Sequence, residues 1–343
     1  MSQLETPIEF RSDTFTKPSE AMLQAMFAAS VGDDVFGEDA SVNALERSVA
    51  EFFGMEAGLF CPSGTMTNQI AIQVHTQPGD EVICEAGSHV YFYEGGGIAK
   101  NAGAQVRLVQ GSFGQITAAQ ILPVINPDDV HRARTSLVSL ENTCNRGGGS
   151  CYDLAEIANI RSLCDAHGLS LHLDGARLMN AIVAKQEDPK EYGKLFHSIS
   201  LCLSKGLGAP VGSVLLGDAT YIKQARRVRK VMGGGMRQAG YLAAAGLYAM
   251  QHNINRLAED HAHAKLLADA LKQCDWVGEI FSVETNIVIF EVSAPRSAQE
   301  VVAKLLSYNI RVSAMSPMHI RMVTHLDVTR EMIQRTVAVL KGL

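Results

Sequence analysis

The sequence predicts an α/β protein: a large unit built on a mostly parallel sheet covered by helices on both faces, then a smaller α+β unit. Three observations predict it. Between about Gly54 and Gly217, short β-rich apolar runs alternate with helical stretches. Those runs are apolar on both faces, as strands covered from two sides must be. After Gln251 the alternation gives way to one long helix and a weaker mixture of strands and helices.

The strands are expected at AGLFC, DEVICE, QVRLV, SLVSLEN, SLHLDGA, SISLCLS and GSVLLG. LAEIANIRSLCDAHG has helical spacing, with Asp153 placed to cap its start and Gly168 its end. Beyond Gln251 the elements are a helix in NINRLAEDHAHAKLLADALKQC, a strand at TNIVIFEV, a helix from Ala298 to Leu306, strands at NIRVSA and HIRMVT, and a last helix. A length of 343 residues exceeds what one core usually covers. The expected division is residues 1–250, an N-terminal segment with the large unit, and 251–343, the small one.

Composition narrows the function. A formal charge of -6 argues against nucleic acid and against an anionic membrane surface as partners, leaving small molecules. MSQLETPIEFRSD lacks the apolar core of a signal peptide, and no run of about 18 apolar residues occurs, so a cytosolic protein is expected. The seven cysteines are odd in number and without CxxC pairing, which suits reduced packing residues. No metal is expected, since His261 and His263, two apart, would point to different faces of a helix.

Chemistry concentrates at strand ends. Lys205 follows an apolar strand in LCLSKGLG, where an amine lifted out of water can condense with an aldehyde cofactor. A lysine snorkelling to the surface is the other reading. Asp174 ends the strand in SLHLDGAR, and strand ends are where α/β proteins bind ligands. Pyridoxal phosphate needs both groups: a lysine for its aldehyde, and a carboxylate to keep the ring nitrogen protonated. Asp174 alone also reads as a helix cap. In CPSGTMTNQ, Ser63, Gly64 and Thr65 open a helix whose N–H groups suit a phosphate, or form a plain cap. His89 in SHVYFYEGGG could stack on a planar ring or serve structure only. Arg177, Arg237 and Arg321 are candidate carboxylate clamps or surface ion pairs. GLGAPVG resembles a dinucleotide fingerprint, but it has one residue too many before its last glycine and precedes a strand.

RSDTFTKPS, VGDDVFGED, PSGTMTNQ, SHVYFYEGGG, LHLDGAR, LSKGLGAPVGS, GGGMRQAG and RMVTHLDV occur in that order. Together, from Arg11 to about Val328, they resemble the low-specificity L-threonine aldolases, in the β-eliminating lyase group of the aspartate-aminotransferase fold type. The resemblance implies that Lys205 holds the aldehyde of pyridoxal 5'-phosphate, Asp174 pairs with the pyridine nitrogen and His89 stacks on the ring. It implies Arg177 beside the ring oxygen and the substrate, and Gly64 and Thr65 at the phosphate, with Lys230 and Arg237 arriving from a neighbouring subunit. Ser12 and Arg321 would hold the substrate carboxylate, and His131 in DDVHRAR would lie near the substrate hydroxyl. The implied assembly is a homotetramer, a dimer of dimers with shared sites.

Two positions depart from the family pattern. Cys144 stands in ENTCN where many members have histidine, and Phe36 replaces a common tyrosine. Both segments are expected near the substrate's β-substituent. The implied reaction splits a β-hydroxy-L-amino acid between Cα and Cβ into glycine and an aldehyde, with His89 or His131 as base. The rivals are a β-eliminating lyase on the same fold, which would release ammonia and a keto acid, and a non-enzymatic cofactor-binding relative.

Overall fold

The structure, a computed structural model, describes residues 6–343, so the first five residues of the leading segment lie outside the described residues. Strand β1 is Ile8–Glu9. The seven expected runs form β2 (Ala57–Cys61), β3 (Glu81–Glu85), β4 (Gln105–Val109), β5 (Thr135–Glu141), β6 (Ser170–Gly175), β7 (Ser198–Cys202) and β8 (Ser213–Gly217). They make one sheet in the order β2-β8-β7-β6-β5-β3-β4. Only β8 runs against its neighbours. The other six therefore bring their carboxyl ends to one edge.

Alternate residues of these strands enter cores on opposite faces, as a period of two requires. Phe60, Ile83, Val138, Val214 and Leu216 join one core. Leu59, Cys61 and Leu215 join a second, and Val82, Cys84 and Leu137 a third. Under the helix Gly64–His75 the sheet turns polar: Ser200 bonds Thr67 (2.5 Å), and Ser198 bonds both His75 and His172 (2.8 Å each). Burial without a charged partner pushes His75 down to about 3, so it is neutral. The expected cap of the helix Leu154–His167 also forms, with Asp153 accepting from the Ala155 N–H at 2.9 Å and Gly168 left-handed at φ 65°.

The smaller C-terminal sheet contains β9 (Val277–Ile280), β10 (Ile287–Val292), β12 (Ser313–Ala314) and β13 (His319–Val323), in the order β12-β13-β10-β9. Its core gathers Trp276, Phe290, Leu267 and Ile320. NIRVSA does not form one strand. It breaks at Val312, so that β11 (Ile310–Arg311) pairs in parallel with β1 while β12 pairs with β13. β9 carries no expected strand; Gly278 and Glu279 give it no apolar alternation. The expected division groups Ile8 and Phe10 with the large unit, yet both are buried in the C-terminal core.

Two buried ion pairs lock distant segments together. Arg229 donates to Asp34 (2.7 Å) and to the Phe60 carbonyl (2.6 Å), tying residues 33–36 to the last turn of the helix Ala219–Val231. Arg177 grips Asp13 with two donors, at 2.6 and 2.8 Å. Burial alone would raise the Asp13 pKa, but the charge and hydrogen bonds of Arg177, helped by Lys205 and Asn286, outweigh it and hold Asp13 at about 2.

Removing one partner of a buried pair strands the other charge. Asp34→Ala is expected to lower the free energy of unfolding by about 3–5 kcal/mol, measured by urea titration. For Asp13 the folded pKa lies below the ordinary 3.8. Its contribution, about 2 kcal/mol, is therefore complete above 3.8 and disappears as pH falls through about 2. The stability gap between wild type and Asp13→Asn should narrow across that window, and a gap constant with pH would contradict the assignment.

Candidate active site

The carboxyl edge of the large sheet frames a cavity of about 300 Å³. Six of the residues singled out from sequence line it: Ser63, Gly64, Thr65, His89, Asp174 and Lys205, together with Thr14, Asn68 and Ser204. Those six lie at or just beyond the carboxyl ends of strands that run the same way, which explains why residues up to 142 positions apart meet. A larger hollow of about 510 Å³ beside Arg296 and Lys304 contains none of them.

The parallel register sets Asp174 beside Glu141 on one side and Ser200 on the other. Asp174 is buried, and accepts hydrogen bonds from the Asn68 amide (3.0 Å) and the Ala176 N–H (3.1 Å). The helix that follows starts only at Leu178, so Asp174 is not its cap. Lys205 sits in the turn between β7 and β8, its carbonyl held by the Thr16 hydroxyl (2.9 Å) and the Gly208 N–H (2.8 Å). No carboxylate of the described residues lies within 4.0 Å of its amine. At the helix start, Ser63 Oγ accepts from the Met66 N–H (3.2 Å), and helix geometry leaves the first-turn N–H groups of Gly64 and Thr65 without intrahelical acceptors. A Cβ on Gly64 would lie 3.4 Å from Ser213 Oγ, a buried hydroxyl with no partner among the described residues.

His89 opens a short helix after β3 and is fixed at both ends. Its N–H donates to Glu141 (2.6 Å) and its ring Nδ1 bonds Glu94 (2.9 Å). Burial lowers the imidazole pKa, but the Glu94 hydrogen bond and the charges of Asp174 and Glu94 outweigh it, and the net shift is upward. Glu141 is pushed up by burial and by the charge of Asp174. His89, Glu94 and Asp174 bring donor atoms within 4.8 Å of one another. The Asn68 amide lies between the two carboxylates, donating to Glu94 at 2.9 Å and to Asp174 at 3.0 Å.

Beside this group lie two arginines, one in the turn after β6 and one on the small sheet. Arg177 has its fork occupied by Asp13 and turns Nη1 to Asn145 Oδ1 (3.4 Å). Arg321, on β13, donates to the same Asn145 oxygen (3.0 Å) and to the Arg11 carbonyl (3.1 Å). Its Nε is buried without a partner among the described residues. Burial and the neighbouring Arg177 charge lower the Arg321 pKa. Ser12 lies between Arg11 and Asp13, whose oxygens those two guanidinium groups take.

Three predicted residues are not gathered within the chain. His131 lies on an exposed turn with its side chain 87 % exposed, bonded to Asp129 at 2.8 Å. Lys230 ends an exposed helix face, and Arg237 pairs with Asp33 at the surface (2.8 Å). Neither family departure lines the cavity. Cys144 is buried, its Sγ 3.1 Å from the Glu141 carbonyl and 3.3 Å from that of Gly114, and Phe36 is 74 % exposed beside Asp33. Both segments were expected near the β-substituent; within one chain the backbone turns both side chains elsewhere.

Sequence reasoning missed Asp13, Asn68, Glu94, Glu141 and Asn145. All five lie within segments quoted above, and two had a further local signal: Asn68 lies four residues after Gly64 on one helix face, and Glu141 closes an expected strand. Asp13 and Asn145 act across 164 and 176 positions, to Arg177 and Arg321 respectively, which no local pattern reveals.

Comparison with known proteins agrees with this geometry. The profile of the Beta-eliminating lyase family matches residues 9–295. The Low specificity L-threonine aldolase of Escherichia coli (strain K12) is 42 % identical over 332 residues, covering 96 % of this chain and 97 % of that protein. The enzyme of the same name from Saccharomyces cerevisiae is 39 % identical over 350 residues, covering 98 % of this chain and 88 % of that one. Among solved structures, the threonine aldolase of Leishmania major superposes with a TM-score of 0.86 at 22 % identity, over 98 % of this chain and 99 % of that one, a likeness of fold. By profile and by near-full-length identity, the chain belongs to the beta-eliminating lyase family and to its low-specificity L-threonine aldolase branch.

Proposed function

We propose that the protein is a pyridoxal-phosphate-dependent aldehyde-lyase that cleaves β-hydroxy-L-amino acids such as L-threonine and L-allo-threonine to glycine and an aldehyde. One observation carries the reading: Lys205, Asp174 and the helix start at Ser63–Thr65 share a single cavity of about 300 Å³. The residues fit the cofactor. They supply an amine without a carboxylate partner, a buried carboxylate for a ring nitrogen, and unsatisfied N–H groups beside an unpartnered Ser213 hydroxyl for a phosphate.

When bound, pyridoxal phosphate supplies a conjugated cation that accepts the electron pair of the breaking bond. Lys205 would hold its aldehyde, Asp174 would pair with the ring nitrogen, Ser63, Gly64 and Thr65 would take the phosphate, and His89 would cover the ring. Arg321, with Nε free, takes the substrate carboxylate with Ser12, while Asp13 keeps Arg177 pointed at the same place. Fixing the carboxylate would orient the substrate so that its Cα–Cβ bond is the one presented for cleavage. His89, or His131 from another subunit, removes the β-hydroxyl proton, and protonation at Cα yields glycine.

Lys230 and Arg237 lie outside the cavity, near the exposed apolar Phe36 and Val231. That supports a homotetramer in which these cations complete a neighbour's phosphate site. Seven free, buried cysteines support a reducing compartment, the cytosol, and glycine as the proposed product supports a role in glycine supply.

Purified protein supplied with L-threonine, L-allo-threonine and phenylserine should release glycine and the matching aldehyde. Ammonia with a keto acid would point to β-elimination. Lys205→Ala should abolish turnover, by at least about 10³-fold. Arg321→Ala should cut kcat/KM by roughly 10²-fold, mostly through KM, as loss of a charged hydrogen-bonding clamp does. An unchanged KM would remove Arg321 from the carboxylate site.

A further inference from the structure

Glu94 makes three hydrogen bonds inside the protein. Its Oε1 receives the ring Nδ1 of His89 (2.9 Å) and the Asn68 amide (2.9 Å), and its Oε2 receives the Gln69 amide (2.6 Å). Its side chain is fully buried, whereas His89 is 31 % exposed and borders the cavity. A carboxylate with two amide donors already bound can only accept from the imidazole. The ring proton therefore lies on Nδ1, and Nε2, without a partner among the described residues, carries the lone pair.

We propose that Glu94 is a positioning residue for the aldol cleavage, holding His89 in the tautomer whose Nε2 accepts the substrate's β-hydroxyl proton. This rests on the function proposed above. As the O–H bond breaks, its electrons form the aldehyde C=O, and the Cα–Cβ pair stays with Cα. The proton rests on Nε2, making an imidazolium beside the Glu94 carboxylate, and its passage from there to Cα restores the neutral imidazole and completes glycine. The arrangement follows the logic of a carboxylate behind a catalytic histidine: orientation first, then stabilisation of the charge that develops.

Other groups face His89 as well. Asp174 at the end of β6 and Glu94 favour its protonated form, Lys205 from the β7–β8 turn opposes it, and Glu141 at the end of β5 holds its backbone N–H. Of these, only Glu94 bonds the ring. Only its replacement should change tautomer and titration together.

The test uses Glu94→Gln, with Glu94→Asp as a second variant that keeps the charge at shorter reach. First, the cofactor-free protein carrying ¹⁵N-labelled histidine is titrated by NMR, the His89 signals being assigned with His89→Gln. Wild-type His89 should show Nδ1–H at high pH and titrate above its value in Glu94→Gln, with Glu94→Asp between them. Second, kcat/KM is followed against pH. Loss of the carboxylate lowers the pKa of the base, so the acid limb should move to lower pH in Glu94→Gln, the plateau kcat falling roughly 10–100-fold while KM stays within about twofold. Should Glu94→Gln not fold, the intermediate behaviour of Glu94→Asp is the expected result.

An identical His89 titration in wild type and variant overturns the proposal. So does a moved titration with an unmoved acid limb, since His89 would then not be the base. If wild type releases no aldehyde while the cofactor-free titration still shifts, the functional reading fails and the Glu94–His89 pair stands as a structural fact.

Discussion

A buried carboxylate at the end of a central strand is costly unless hydrogen bonds replace its water. Asp174 occupies that position, and much of the large sheet is organised to satisfy it. The helix Gly64–His75 lays Thr67, Asn68 and His75 over Ser200, His172 and Ser198, so the layer beneath it is polar where an α/β sheet is ordinarily apolar. Asn68 is the hinge of this layer. Its two amide hydrogens join Asp174 to Glu94, and its oxygen meets His172 at 3.2 Å. The same helix offers its first-turn N–H groups to the cavity, so one element supplies an anion site at its tip and a carboxylate support along its side.

The second organising feature is electrostatic. Arg177, in the turn after β6, and Arg321, on β13, lie close together, and burial followed by the Arg177 charge lowers the pKa of Arg321. Asn145 Oδ1 lies between them and accepts from both. Asp13 pairs directly with only one of the two. An incoming carboxylate would relieve a repulsion already present, and binding at that point would draw the two arginines toward a shared anion.

The strands were legible because parallel-sheet strands carry a local signature, apolar on both faces, and all seven formed at the expected runs. The small sheet was harder. NIRVSA reads as one strand, yet its two halves serve different sheets, and the switch at Val312 depends on β1, some 300 residues away. Lys205, Asp174, His89 and Ser63–Thr65 were visible because each closes or follows a strand. Asp13 and Asn145 were not, since a polar side chain in a loop carries no mark of the guanidinium that will meet it in the fold, and Glu141 was passed over although it closes β5 beside Asp174. Lys230, Arg237 and His131 show a different limit: family motifs name them, but no single chain brings them to the cavity.

Residues 8 to 16 form a strap. Ile8 and Glu9 extend β11, Phe10 and Ile8 fill the C-terminal core, Asp13 is the counter-ion of Arg177, and the Thr16 hydroxyl braces the carbonyl of Lys205. The strap ties the backbone of Lys205 to the C-terminal core. Contacts far along the sequence, at β11 and in the C-terminal core, therefore anchor the segment that braces this lysine.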